Sequence, residues 1–176
     1  RAYIDSNIVG FYNILEACKK NKIHSLIYAS SSSVYGNNYK FKKSFNEKQS
    51  TDTPKNLYAA TKKTNEILAY AYSDLFNFNC IGMRFFTVYG PWGRPDMAPF
   101  LFLNSIIKRN KINIFNNGKM QRDFTYIGDV VQSVYKLTIK TQKSKSKLKE
   151  IFNIGRGKAI KLLEFVNCIE VILNIK

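Results

Sequence analysis

Four consecutive apolar residues, Leu26-Ile27-Tyr28-Ala29, bounded by polar ones and set between two helical patterns, constrain the fold of this chain more than any other stretch. A run that short, with no polar alternation, fits a strand buried on both faces, the environment of a parallel sheet covered by helices. Upstream, apolar residues recur at helical spacing from Ile4 to Cys18 (Ile8, Phe11, Tyr12, Ile14, Leu15). Lys19, Lys20 and Lys22 then crowd the end where the helix macrodipole favours cations. Downstream, the polar stretch 37–56, with Asn37, Asn38 and Thr53-Pro54, reads as an active-site loop before a long helix over 58–76 and a strand over 80–86. Helix, strand, loop, helix, strand is the unit of a parallel α/β sheet, which binds ligands at the carboxyl ends of its strands. Ser31 and Tyr89 are expected at that edge. After Pro91-Trp92-Gly93-Arg94-Pro95 the elements shorten: a helix over 99–109, strands over 112–115 and 122–127, a helix over 129–141, a strand over 151–154 and a last helix from 162. The spacing therefore predicts a larger α/β domain over residues 1–96 and a smaller α/β lobe over 97–176.

Composition narrows the function classes. The 45% hydrophobic content supports one packed core rather than disorder, and no run of about 18 apolar residues or leader-like segment is present. A cytoplasmic location, away from membranes, is the default expectation. Cys18, Cys80 and Cys168 are far apart and odd in number, so neither a disulfide framework nor a metal site is expected, and each reads as a small core residue. His24 is the only histidine, which excludes chemistry needing two imidazoles. The net charge of +16 raises the possibility of a nucleic-acid footprint. The lysines are scattered, however, and the one cluster, Lys136 to Lys149, lacks interleaved aromatics, so it reads as a solvated helix end and no nucleic-acid partner is expected. Starting at Arg1 and stopping at Lys176 within an apolar helical run, the sequence reads as an internal piece of a longer protein.

The chemistry concentrates in Tyr58-Ala59-Ala60-Thr61-Lys62 and the turn Ser30-Ser31-Ser32-Ser33-Val34-Tyr35-Gly36. A phenol acts as a base near neutral pH only where a cation stabilises its phenolate, and an i, i+4 helical pair sets a lysine beside the tyrosine. A serine hydroxyl from the preceding strand completes the arrangement. Together with Arg84 to Met97 and Gly118 to Asp129, these segments resemble the extended short-chain dehydrogenase/reductase family of nucleotide-sugar epimerases and dehydratases, and within it most closely the UDP-glucuronate 4-epimerases.

The resemblance implies a partial Rossmann-like, doubly wound parallel sheet with a smaller lobe for a UDP-sugar. It also implies NAD as a tightly held cofactor and interconversion of UDP-glucuronate and UDP-galacturonate through a transient 4-keto sugar. Tyr58 is then the base, Lys62 stabilises its phenolate and holds the nicotinamide ribose, and Ser31, five residues before Gly36, bridges phenol and sugar oxygen. Ser30, Phe85 and Phe86 are implied as further NAD contacts, and Ser32, Ser33, Thr87 and Arg122 as substrate contacts. The related dehydratases carry Asp-Glu where this chain has Ser32-Ser33, so elimination lacks a proton carrier and epimerisation is favoured. A hexuronate needs a cation for its carboxylate, and Arg94 is the candidate; Arg84, flanked by apolar residues, reads as structural. The glycine-rich NAD fingerprint is absent from these residues, and Gly155-Arg156-Gly157 lies too late in the chain to replace it. Relatives pair as homodimers, and these 176 residues alone are expected to bind NAD poorly. The alternatives are an epimerase for neutral UDP-hexoses, another dehydratase-family enzyme or, of a different class, an inactive basic fragment that binds polyanions.

Overall fold

The computed structural model describes residues 1–36, 44–114, 118, 120–144 and 146–175. In chain order they form a π-helical segment (Ile4–Val9) continuing into α1 (Gly10–Lys20), β1 (Ser25–Ser31), a 3-10 turn (Ser32–Tyr35), α2 (Leu57–Phe76), β2 (Asn79–Phe85) and β3 (Thr87–Tyr89). There follow α3 (Ala98–Ile107), β4 (Gln121–Arg122), β5 (Phe124–Tyr126), α4 (Ile127–Lys143), β6 (Lys149–Ile154), β7 (Ile160–Lys161) and α5 (Leu162–Leu173). They divide into two compact units. The first holds Arg1–Phe86 and Gln132–Ile154, the second Thr87–Val131 and Gly155–Lys176. The units are thus drawn differently from the partition at residues 96 and 97: residues 132–154, which include β6, fold with the first unit.

In the first unit β1, β2 and β6 form a parallel sheet in that order, so that Ser31 pairs with Phe85 and Phe85 with Ile154 at the carboxyl ends. Central β2 is buried along nearly its whole length, whereas β1, whose apolar run Leu26–Ala29 led to the expectation of burial on both faces, stands at the end of this sheet among the described strands, with Leu26 and Ile27 half-buried and Ala29 exposed. Tyr28 of β1 lies across from Gly82, and a Cβ there would stand 2.7 Å from the Tyr28 hydroxyl oxygen, so only glycine admits the phenol. The core joins Leu15 and Cys18 of α1, Tyr28 of β1, Ala69 of α2, and Phe78 and Cys80. Asn56 caps α2, its side chain accepting from the Ala59 N–H at 2.8 Å, which fixes where the helix starts and hence where Tyr58 stands. The lysine cluster is not merely solvated: Lys140 pairs with Glu150 at 3.0 Å, and Lys147 and Lys149 with Asp74 at 3.6 and 2.7 Å.

In the second unit β3 pairs with β5 in parallel and β4 with β7 antiparallel. Its core gathers Phe102 and Ile106 of α3, Phe124 of β5, and Leu162 and Val166 of α5, with Phe124 stacked on Phe165 at 4.0 Å. Three expectations change here. Tyr89 belongs to β3 and pairs with Tyr126, not with the sheet that ends in Ser31, because a three-residue strand after Phe86 starts a separate ladder. Residues 112–114 form no strand, and Phe115 lies outside the described residues, as do 37–43 of the polar loop. Cys18 and Cys80 are core residues, but Cys168 is exposed on α5, since the face of α5 packed on the core is set by Leu162 and Val166.

Candidate functional site

Ser31 ends β1 and caps the 3-10 turn: its hydroxyl accepts from the Ser33 N–H at 3.2 Å and donates to the Ser33 hydroxyl at 3.1 Å. The turn closes at Gly36, whose φ of 62° and the carbonyl oxygen of Thr53, 2.5 Å from where a Cβ would be, both require glycine. The turn packs on α2, which carries Tyr58 in its first turn and Lys62 one turn on. Lys62 Nζ lies 5.9 Å from the centre of the Tyr58 ring and donates to the Ala29 carbonyl oxygen of β1 at 3.0 Å. Desolvation by burial pushes the Lys62 pKa below the ordinary 10.5. Tyr58 is half-buried, its ring tilted against Tyr3 at 5.8 Å.

Beside Lys62 runs a groove of about 380 Å³ lined by Asn7, Phe11, Tyr28, Ala29, Lys62 and Asn65, among others. Asn65 is 2% exposed, and its Oδ1 is buried without a hydrogen-bond partner among the described residues. The Lys62 ammonium in this groove suits a ligand rich in hydroxyls, such as the ribose of a dinucleotide, while the Asn65 oxygen lies beneath the groove's surface. These residues fit the part of NAD assigned to Lys62. The Gly155–Gly157 turn is no pyrophosphate cradle: the N–H groups of Arg156 and Gly157 both donate to the Asp123 carboxylate, at 2.9 and 2.7 Å, so that turn already holds an anion.

Ser30 projects to the opposite face from Ser31 and is 3% exposed, its hydroxyl donating to Glu66 Oε1 at 2.6 Å. Glu66 in turn binds Arg84 on both oxygens at 2.8 Å, and Arg84 Nη1 donates to the Tyr35 hydroxyl at 2.9 Å. The Tyr35 hydroxyl donates to Asn153 Oδ1 at 2.7 Å. Arg84 is therefore a buried structural residue, as its apolar flanks indicated. Phe85 ends β2, and Phe86 follows with its ring tilted against Phe45 at 6.3 Å.

The other candidates stand in the second unit. Thr87 opens β3, its N–H bonded to the Asp123 carbonyl oxygen at 3.1 Å. Arg94 is exposed and grips Asp96 through Nε, at 3.0 Å, and Nη2. That contact holds the Asp96 carboxyl below the usual carboxylate range. Arg122, on β4, donates to the carbonyl oxygen of neighbouring Gln121 at 3.0 Å. Sequence reasoning missed Asn7, whose amide donates to Thr61 Oγ1 at 3.0 Å, as well as Asn65 and Glu66. Their signal was present: Thr61, Asn65, Glu66 and Ser73 fall on the buried face of α2 where apolar residues belong.

The profile of the NAD dependent epimerase/dehydratase family matches residues 1–155, and the chain belongs to that family. Among curated proteins it is 47% identical to Protein CapI of Staphylococcus aureus, over 97% of this chain and 54% of that protein. It is 43% identical to UDP-glucuronate 4-epimerase 2 of Arabidopsis thaliana, over 99% of this chain and 43% of that one. Among solved structures it is similar to the UDP-glucuronic acid 4-epimerase of Bacillus cereus in complex with UDP-glucuronic acid and NAD. There the TM-score is 0.80 at 32% identity, covering 97% of this chain and 52% of the other. The chain spans about half the length of the curated relatives it matches.

Proposed function

We propose that the protein carrying this chain is an NAD-dependent nucleotide-sugar 4-epimerase that interconverts UDP-glucuronate and UDP-galacturonate. The observation that carries this reading is the half-buried ammonium of Lys62, anchored to β1 and set against the Tyr58 ring within the first unit. A cation beside a phenol oxygen stabilises a phenolate and so makes a tyrosine a base, and Lys62, one turn along α2, is the cation proposed for that role. NAD, when bound, supplies a reversible acceptor for the hydride on the sugar C4. Tyr58 takes the proton of the 4-hydroxyl and returns it to the ketone oxygen once the sugar has presented its other face. The Ser31 hydroxyl, which here donates to the Ser33 hydroxyl and accepts from the Ser33 N–H, donates to that oxygen by turning its proton away from Ser33. Ser32 and Ser33 provide no acid for eliminating water, which separates this reaction from dehydration. Thr87, Arg94 and Arg122 are the proposed contacts to the sugar nucleotide, with Arg94 meeting the uronate carboxylate.

The test is turnover of UDP-glucuronate by the protein expressed from its whole reading frame, as wild type and as Tyr58→Phe. Loss of turnover with an unchanged melting curve is expected. Near-normal turnover by the variant would remove Tyr58 as the base. A second reading, a 4-epimerase for neutral UDP-hexoses, is favoured by the Arg94–Asp96 pair, which fills the bidentate edge of the guanidinium with a carboxylate of the protein itself. Comparing UDP-glucose with UDP-glucuronate as substrates decides between them.

A further inference from the structure

A second set of side chains joins the strand and helix that carry Ser31, Tyr58 and Lys62. Tyr58, Lys62 and Glu66 follow one another at single-turn spacing and share a helix face. Lys62 is bonded to Ala29 and Glu66 to Ser30, so successive turns of α2 are tied to successive residues of β1. One attachment would leave a pivot, whereas two fix both the rotation of α2 and its sliding along the strand. The Glu66–Arg84 pair also meets Ser31 from its other side, because Arg84 donates to Tyr35 in the turn that Ser31 caps. Ser30 before Ser31 and Tyr35 after it thus end on the same two charges.

Stability does not account for this pair. Glu66 and Arg84 are 3% and 2% exposed, and removing water from two charges offsets most of their attraction, so that apolar residues of equal volume hold a core as well or better. What a bidentate guanidinium–carboxylate pair supplies is a single planar geometry. We propose that Glu66 and Arg84 are positioning residues that hold Ser31 in register with Tyr58 and Lys62 for proton transfer; the proposal rests on the reading of those three as the catalytic group.

Ser30→Ala tests it in the full-length protein, on whichever UDP-hexose or UDP-hexuronate the wild type turns over. The change removes one attachment and leaves Glu66 bound to Arg84 on both oxygens. A fall in kcat of about tenfold is expected, with KM, melting temperature and bound NAD per protomer unchanged. An unchanged kcat, or a loss of bound NAD that accounts for the lost activity, overturns the proposal. The double variant Glu66→Leu/Arg84→Met replaces both charges with apolar groups. It leaves the buried Ser30 hydroxyl without its acceptor, so it is expected to fold with a somewhat lower melting temperature and to turn over more slowly than Ser30→Ala, and full kcat in a folded double variant overturns the proposal as well. Tyr58→Phe run alongside separates the two claims. Normal turnover by Tyr58→Phe brings down the catalytic reading and the proposal with it, whereas an inactive Tyr58→Phe beside a fully active Ser30→Ala brings down the positioning role alone.

Discussion

The two units hold their candidate residues by different means. In the first, Ser31, Tyr58 and Lys62 sit among bonds that link residues far apart in sequence: Lys62 to Ala29 at the surface, and Ser30 to Glu66 and Glu66 to Arg84 out of water. In the second, Arg94 is held by Asp96 two residues away and Arg122 by the carbonyl of Gln121 beside it, both in exposed contacts. A proton transfer is steeply sensitive to distance and needs groups fixed before the substrate arrives. A guanidinium that recognises an anion can exchange one carboxylate for another, and a local, solvated contact leaves it free to do so.

The largest effect that would break this contrast is the loss of turnover in Tyr58→Phe, expected to be about 10³-fold or more for a general base, measured by steady-state conversion of the UDP-sugar. Next comes Arg84→Ala, which leaves the Glu66 carboxylate buried and unpaired and should cost about 3–5 kcal/mol in a denaturant melt. Arg94→Ala, by comparison, should leave that melt unchanged while raising KM for UDP-glucuronate about tenfold and sparing UDP-glucose. Equal stability losses in the two arginine variants would erase the distinction between the units.

The pH dependence sharpens it further. Burial lowers the Lys62 pKa from 10.5, so the folded protein gives up that proton at a lower pH than a free lysine does, and activity that needs the ammonium should fade on the alkaline side below 10.5. Lys62→Arg, which stays charged, should move that limb upward; an unmoved limb assigns it to another group. The smallest effect is expected at Asp74. The hydrogen bond from Lys149 lowers the Asp74 pKa from 3.8 and raises that of Lys149 from 10.5. Their contribution to stability is therefore full between those two values, is lost as pH falls through the lowered carboxylate pKa, and is lost again as pH rises through the raised ammonium pKa. Because both groups lie at the surface, Asp74→Asn should barely alter the thermal melt at neutral pH and should flatten its acid limb slightly.

Apolar periodicity made α1 readable, and short runs made β1, β2 and β6 readable as strands, although the buried face of α2 is largely polar. The Tyr58–Lys62 pair was readable too, being local to one helix. What the sequence hid is non-local or short. Glu66 and Arg84 stand on a helix and a strand 18 positions apart, and a charge on a helix reads as solvated until the opposite charge is seen to be buried with it. Strands of two and three residues, β7 and β3, are too brief for an alternation to register, so the separate ladder that holds Tyr89 leaves no sign in the sequence. Cys168 was misjudged because an apolar helix such as α5 does not declare which of its sides is covered. Arg94 and Asp96 are near neighbours, but a turn had to bring their side chains together.

The π-helical segment Ile4–Val9 carries a consequence for mutational tolerance. A wider turn accommodates one residue more than an α-helical turn, so excising a single residue there would restore the regular ladder and leave the upstream residues close to their present rotation about the axis. Tyr3, upstream of the stretch, would keep its place against Tyr58. A one-codon deletion in this stretch is thus expected to be tolerated, keeping an aromatic beside the proposed base and leaving every residue of the sheet and of α2 unaltered.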